Sequence, residues 1–326
     1  MHEASEAVWG RGGGLPWIAL VCVLTGCFRD DGPQLCEGPG CTMVTSDGAS
    51  STSETSPTSP TSPTSTDTSG TEGETTGMPI DTSITMRLNS MTFIDPHLFL
   101  ADLSDPQKPI CTDITLAVNQ TLAEDLANDG FNLLVHLEDL TMAKEVRLID
   151  ADCTAAAMPG GLKQCTPNDA TPAVVLGLDT VETPACSELD PTVYAPANVG
   201  LINAPLQPCM RTKRASFSLA ISGSLGALDL RNAQFAASLD DPVAPTKLVN
   251  GVLYGFFTKL SAEDLSFDLP LLGERTLWSV IDVPECAAMN PDQLPSVDTL
   301  EINGMPALGV WLAINFTGER VAYVTP

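Results

Sequence analysis

From Thr42 to Gly77 the chain is almost entirely Thr, Ser, Pro, Gly and acidic residues, with three Thr-Ser-Pro triplets in a row at 55–63. Such a tract offers no apolar surface whose burial would repay the entropy of ordering it, so it is expected to stay disordered. Folding is thereby confined to residues 78–326, long enough for a large hydrophobic core and read here as a single globular β-rich domain. The tract would span roughly 30–36 Å as a coil and on the order of 110 Å as polyproline II, and its prolines and like charges push it toward the longer value. It has the composition of a stalk, and dense Ser/Thr with Pro is also the composition of O-glycosylated stalks.

Ahead of the tract, Leu15 to Leu24 is a short apolar run. About 20 apolar residues are needed to cross a bilayer, so this run fits a signal-peptide core better than a transmembrane helix. It ends in Leu24-Thr25-Gly26-Cys27, which resembles the lipobox of bacterial lipoproteins. That resemblance implies a signal peptide over 1–26, cleavage between Gly26 and Cys27, and lipid on the Cys27 sulfur. Acyl chains contribute about 0.8 kcal/mol per buried CH2, so two or three hold a protein on a membrane without any spanning helix. Glu3 and Glu6 leave the leader without the positive charge that export favours, and initiation at Val8 would restore it through Arg11. Phe28 follows the cysteine where an aspartate would signal inner-membrane retention. The expectation is therefore an outer-membrane anchor, on the periplasmic or the cell-surface face.

The whole chain carries a net charge of −26. Such a surface repels nucleic acid and anionic headgroups, which excludes nucleic acid as a partner. Arg211, Lys213 and Arg214 form the one basic cluster and read as a solvated strand entrance.

Ten cysteines are present. Cys22 lies in the leader and Cys27 is reserved for lipid, which leaves an even number in an exported chain and favours disulfides. Cys36 and Cys41 bracket a Gly-Pro-Gly turn and are expected to pair within a small N-terminal loop over 27–41. Cys111, Cys153, Cys165, Cys186, Cys209 and Cys286 allow 15 pairings. Proximity favours Cys153–Cys165 and Cys186–Cys209, leaving Cys111–Cys286. A zinc site is disfavoured: no Cys-x-x-Cys occurs, and His97 and His136 are remote from the cysteines in sequence.

Strand-like alternation runs through Phe217–Leu225, Phe131–Leu137 and Val310–Phe316, with shorter candidates at Ile84–Phe93, Val146–Ile149 and Val174–Leu178. Two stretches have helical spacing. Thr112–Asn128 places Ile114, Val118, Leu122 and Leu126 on one side, with Asp113 to cap it and Gly130 to end it. Residues 248–260 repeat Leu248, Val252, Phe256 and, one residue on, Val249, Leu253, Phe257. An internal echo at offset 136, from Phe99 to Pro109 and from Phe235 to Pro245, suggests a duplicated strand–loop–helix unit. The expected fold is mainly β (α+β): an antiparallel sheet packed with two amphipathic helices and stapled by disulfides.

Chemistry-bearing motifs are scarce. Ser222-Gly223-Ser224-Leu225-Gly226 fails the spacing of a nucleophile elbow. No phosphate loop, metalloprotease helix or dinucleotide fingerprint appears. Asp150, Asp152, Asp240 and Asp241 offer oxygens of the kind Ca2+ prefers but lack an EF-hand loop. His97 reads as a turn residue and His136 as a cross-strand or exposed residue. Asn119 and Asn315 sit in glycosylation sequons read as accidental.

Lipobox, Thr/Ser-rich stalk and acidic Cys-containing domain together resemble the stalked outer-membrane lipoproteins of myxobacteria. Within the domain, Asp95-Pro96-His97-Leu98-Phe99, Cys111-Thr112-Asp113-Ile114, Leu248-Val249-x-Gly251-Val252 and Trp311-Leu312-x-x-Asn315-Phe316-Thr317 are similar to segments of that group. The resemblance implies surface location and one β-rich domain, and no particular activity. The leading expectation is a non-enzymatic binding module that needs no cofactor or metal and meets a protein, glycan or lipid partner. The alternatives are a carrier of an apolar ligand such as lipid, lined by Val252, Phe256 and Phe257, and an extracytoplasmic hydrolase.

Overall fold

The computed structural model describes residues 83–325 apart from 103, 106–108, 141–142, 157, 159, 223–225, 270–272, 288 and 294–296. The leader with Gly26 and Cys27, the Cys36–Cys41 loop and the Thr/Ser/Pro tract lie outside the described residues.

The domain begins with β1 (Ile84–Asp95), a small hairpin of β2 (Phe99–Asp102) and β3 (Ile110–Asp113), and helix α1 (Thr115–Ala127). Strands β4 (Leu133–Leu137), β5 (Glu145–Thr154), β6 (Gln164–Pro167) and β7 (Val174–Gly177) follow. An irregular strap, residues 179–208, leads to β8 (Cys209–Arg211), β9 (Ala215–Ser222), β10 (Gly226–Leu239) and β11 (Lys247–Thr258). Short helix α2 (Lys259–Asp264) precedes the hairpin of β12 (Ser266–Leu269) and β13 (Gly273–Thr276), then α3 (Trp278–Ile281) and α4 (Pro284–Ala287). The chain closes with β14 (Asp298–Ile302), β15 (Met305–Arg320) and β16 (Ala322–Tyr323).

The main sheet runs β7–β5–β4–β1–β15–β11–β10, with β8 and β9 both on the far side of β10. All these pairs are antiparallel; only β16 joins β6 in parallel. The two ends of this order meet. Leu178 bridges Thr212, Asp179 N donates to Arg211 O at 2.8 Å, and Lys213 N donates to Gly177 O at 2.7 Å. The sheet thus closes on itself as a barrel, which pairs the two ends of this strand order that would otherwise be open edges. Asn119 of α1 helps where β4 stops short along β1: its side chain accepts from Phe93 N and donates to Phe93 O, as a strand would.

The inside of the barrel is the principal core. Leu133, Val135 and Leu137 of β4 and Val310, Leu312, Ile314 and Phe316 of β15 all point into it, as their period of two requires. Leu122 and Leu126 of α1 join the same core. A second cluster lies outside the barrel, where Tyr194 and Ile202 of the strap cover Ala236, Val252, Tyr254 and Ala313.

The predicted helix α1 is present. It ends with Asp129 rather than Gly130 in the left-handed conformation, at φ 56°. Asp129 holds that position while paired to Arg87 and Lys163, each at 2.8 Å.

The helix expected at 248–260 is instead strand β11, with only its last residues entering α2. Two features gave the strand a helical spacing. A bulge at Leu248–Gly251, with Asn250 at φ 49°, inserts a residue and breaks the period of two. The strap then buries the outer face, so apolar residues fill both sides. The suggested duplication also fails: Phe99 opens a hairpin followed by a helix, whereas Phe235 lies within β10 and is followed by β11. Among the described residues the architecture is mainly β, with one helix of more than six residues and three disulfides.

All three expected pairings in the domain are at bonding distance: Cys111–Cys286, Cys153–Cys165 and Cys186–Cys209. The first ties β3 to α4, the second links β5 and β6 directly across their pairing, and the third anchors the strap to β8.

Candidate functional site

The strap and the end of β1 bring two fully buried polar side chains, Asp95 and Asn198, into contact. Asp95, the last residue of β1, is fully buried. Its Oδ1 accepts from Asn198 Nδ2 at 2.6 Å and from Ala195 N at 3.3 Å, both on the strap. Its Oδ2 is buried and meets no hydrogen-bond partner. Burial pushes the Asp95 carboxyl up to about 6, against the opposing pull of Asn198, Ala195 N and His97.

Beyond Pro96, His97 Nδ1 pairs with Asp113 Oδ2 at 2.7 Å. The hydrogen bond to Asp113 raises the His97 pKa. Burial alone would raise Asp113, but hydrogen bonds from His97 and Thr115 outweigh it and hold the carboxyl below its usual range. Asp113 Oδ1 also accepts from Thr115 N at 2.8 Å, so Asp113 meets the first N–H of α1 while it orients the imidazole. A carboxylate–imidazole pair is half of a nucleophilic triad, and the described hydrogen bonds bring no hydroxyl nucleophile to His97.

The strap is pinned along its length. Asn203 donates to Gly251 O at 3.0 Å, and Asn203 N donates to Asn315 Oδ1 at 2.8 Å. Asn315 Nδ2 returns a bond to Leu201 O at 2.8 Å. Ser238 Oγ accepts from Leu206 N and donates to Leu206 O, both at 2.8 Å. Tyr254 Oη accepts from Glu188 N at 3.0 Å and donates to Gln234. The basic cluster serves the strap too. Arg211 pairs with Asp179 at 2.6 Å and Glu188 at 3.0 Å, and Arg214 donates to Glu188 O at 2.8 Å while lying over the Tyr254 ring. Facing the solvent, the strap carries Glu182, Asp190 and the apolar side chains of Leu201 and Leu206, the last two 59% and 56% exposed.

The other sequence candidates are placed as follows. Val252 and Phe256 point to the outer face of the sheet, Phe256 edge-on to Trp311 with centroids 5.5 Å apart, whereas Phe257 points inward. They share no cavity. Phe257 borders an apolar void of about 10 Å³ with Phe93, Leu98 and Leu228 among its other walls, room for about one water. His136 takes a cross-strand role, its Nδ1 2.8 Å from Thr85 Oγ1 and its ring stacked on Tyr323. Asp150 closes a loop by accepting from Asn168 and Thr171. Asp241 accepts from the backbone N–H groups of Val243 and Ala244, and Asp240 from those of Thr246 and Lys247. Among the described residues no group of three or more His, Cys, Asp or Glu is arranged to hold a metal. Both sequon asparagines have their amides engaged, Asn119 on β1 and Asn315 on the strap. No helix among the described residues is long and apolar enough to cross a membrane.

The pairing of Asp95 with Asn198 was not read from the sequence; the signal available was Asp-Pro at the end of an apolar strand. No family model matches the chain, and neither a curated protein nor a solved structure matches it.

Proposed function

We propose that the protein is a lipid-anchored binding module, held at the outer membrane through Cys27 and lifted from the bilayer by the Thr/Ser/Pro stalk, that works by engaging a partner rather than by catalysis. The observation that carries this reading is the strap. It is a 179–208 segment without regular strands, fixed on a rigid barrel by a disulfide and by side-chain bonds to its backbone. Loops held in one conformation on a rigid scaffold are where recognition surfaces are built, because little entropy remains to be lost on binding. The three closed disulfides support an oxidising, extracytoplasmic location. The side-chain-filled interior beside Phe257 favours binding on the outside over carriage of lipid within.

Two experiments test this. Metabolic labelling with a click-reactive palmitate analogue should mark the full-length chain and fail on Cys27→Ser, which should be released from membranes. Labelling that survives Cys27→Ser removes the anchor. A photo-cross-linking residue at Leu201 or Leu206 in intact cells should capture a discrete protein or glycan, and the same residue at exposed Leu260 of α2 should not. Equal capture from all three positions removes the strap as the binding face.

A further inference from the structure

We propose that the protonated carboxyl of Asp95 latches the central part of the strap, residues 190–200, onto the end of β1, and that its ionisation loosens this segment. Three features of the buried contact make it a latch. Asp95 and Asn198 are both essentially inaccessible, at 0% and 1% exposure. One carboxyl oxygen takes both strap donors, Asn198 Nδ2 and Ala195 N, and the other has no partner. The flanking segments are held by means that do not involve Asp95: the Cys186–Cys209 disulfide on one side and the Asn203–Gly251 and Asn203–Asn315 bonds on the other.

In this setting a neutral acid leaves one O–H without an acceptor, which costs less than burying a charge. A carboxylate does not tolerate it, because its second oxygen is buried without a donor and water cannot reach it while the strap is down. Lifting residues 190–200 is the motion that frees the carboxyl to meet water, since Ala195 N and Asn198 Nδ2 are the strap groups bonded to its other oxygen. The groups that act on Asp95 are few. His97, in the turn after β1 and paired to Asp113 of β3, favours the ionised form while it is protonated. Tyr194, on the strap, is coupled to the Asp95 charge. As His97 loses its proton with rising pH, the closed state becomes still less able to hold an ionised Asp95. The strap is therefore held most firmly in acid, and transient opening of this segment becomes more frequent toward neutral and alkaline pH, uncovering Tyr194 and the outer-face residues it packs on.

Hydrogen exchange of the full soluble domain, read at the amides of residues 193–199 and corrected for intrinsic rates, tests the latch. Between pH 5 and pH 8 the opening constant should rise about tenfold, the ratio set by a carboxyl that titrates near 6 closed and near 4 open. Amides of β15 should show no such change. Asp95→Asn stays uncharged and should abolish the pH dependence. Asn198→Ala removes a donor to the carboxylate and should loosen the segment while moving its midpoint to higher pH, which keeps the test open if Asp95→Asn does not fold. Equal protection of 193–199 at both pH values, or a pH dependence unchanged in both variants, overturns the proposal.

Discussion

Gly251 of β11 and Phe316 of β15 are register partners, and the Phe316 ring occupies the space a side chain on Gly251 would need: a Cβ built there would lie 2.2 Å from the ring. The ring in turn stacks on Phe235 of β10, centroids 4.3 Å apart, so three neighbouring strands meet at this contact. The close approach is made possible by the missing side chain. Gly251→Ala should therefore destabilise the domain by about 1–3 kcal/mol through overpacking. Urea unfolding should show a lower midpoint with an unchanged m-value; an unchanged midpoint would mean that Phe316 moves aside at no cost.

Arg87 is a buried cation inside the fold, and its partners are distributed. Nε donates to Asn132 Oδ1 and Nη2 to Leu126 O, both at 2.5 Å, and Nη2 also meets Asp129 at 2.8 Å. It joins β1 to the last turn of α1. Arg87→Ala strands these acceptors and should cost about 3 kcal/mol or more. Exchange protection at residues 122–130 should fall more than protection in β15.

The disulfides should rank by the loop they close. Cys111–Cys286 spans 175 residues, Cys186–Cys209 spans 23 and Cys153–Cys165 spans 12. Chain-entropy arithmetic assigns about 5 kcal/mol to the first and about 3 kcal/mol to each of the others. Paired Cys→Ala variants compared by thermal unfolding should therefore lose most with Cys111 and Cys286 replaced.

Asp95 makes stability depend on pH. Its folded pKa, about 6, lies above the ordinary 3.8. The stabilisation is therefore complete below about pH 4 and is lost as pH rises through 6, an effect of about 3 kcal/mol for so buried a group. Unfolding midpoints measured at pH 4 and pH 7 should converge in Asp95→Asn relative to the wild type.

His97 should titrate above its usual range because Asp113 accepts its hydrogen bond. In an NMR titration, Asp113→Asn should move the His97 midpoint down. A midpoint that stays in place would show that the pair is not formed in solution.

Much of this was legible from the chain, for identifiable reasons. Leu133, Val135, Leu137 and Val310 through Phe316 keep a strict period of two, so their strands could be read directly. Helix α1 announced itself through Leu122 and Leu126 one turn apart, with Asp113 at its start. The near-neighbour cysteines paired as proximity suggested. Asn303-Gly304, at φ 54° and 78°, turns β14 into β15 and carries the hairpin signal in its two residue types.

What the amino-acid order alone settles is local: which segments alternate, where a helix starts, and that an even set of cysteines is available. The tertiary structure decided the rest. Residues 248–257 became a strand because β10 and β15 offered backbone partners on both edges and the strap covered the outer face, none of which is encoded within that window. Asp95 became a buried acid because Asn198, more than a hundred residues away, was brought over it. Burial on two faces and contacts between distant segments are properties of the closed barrel, and no short-range pattern carries them.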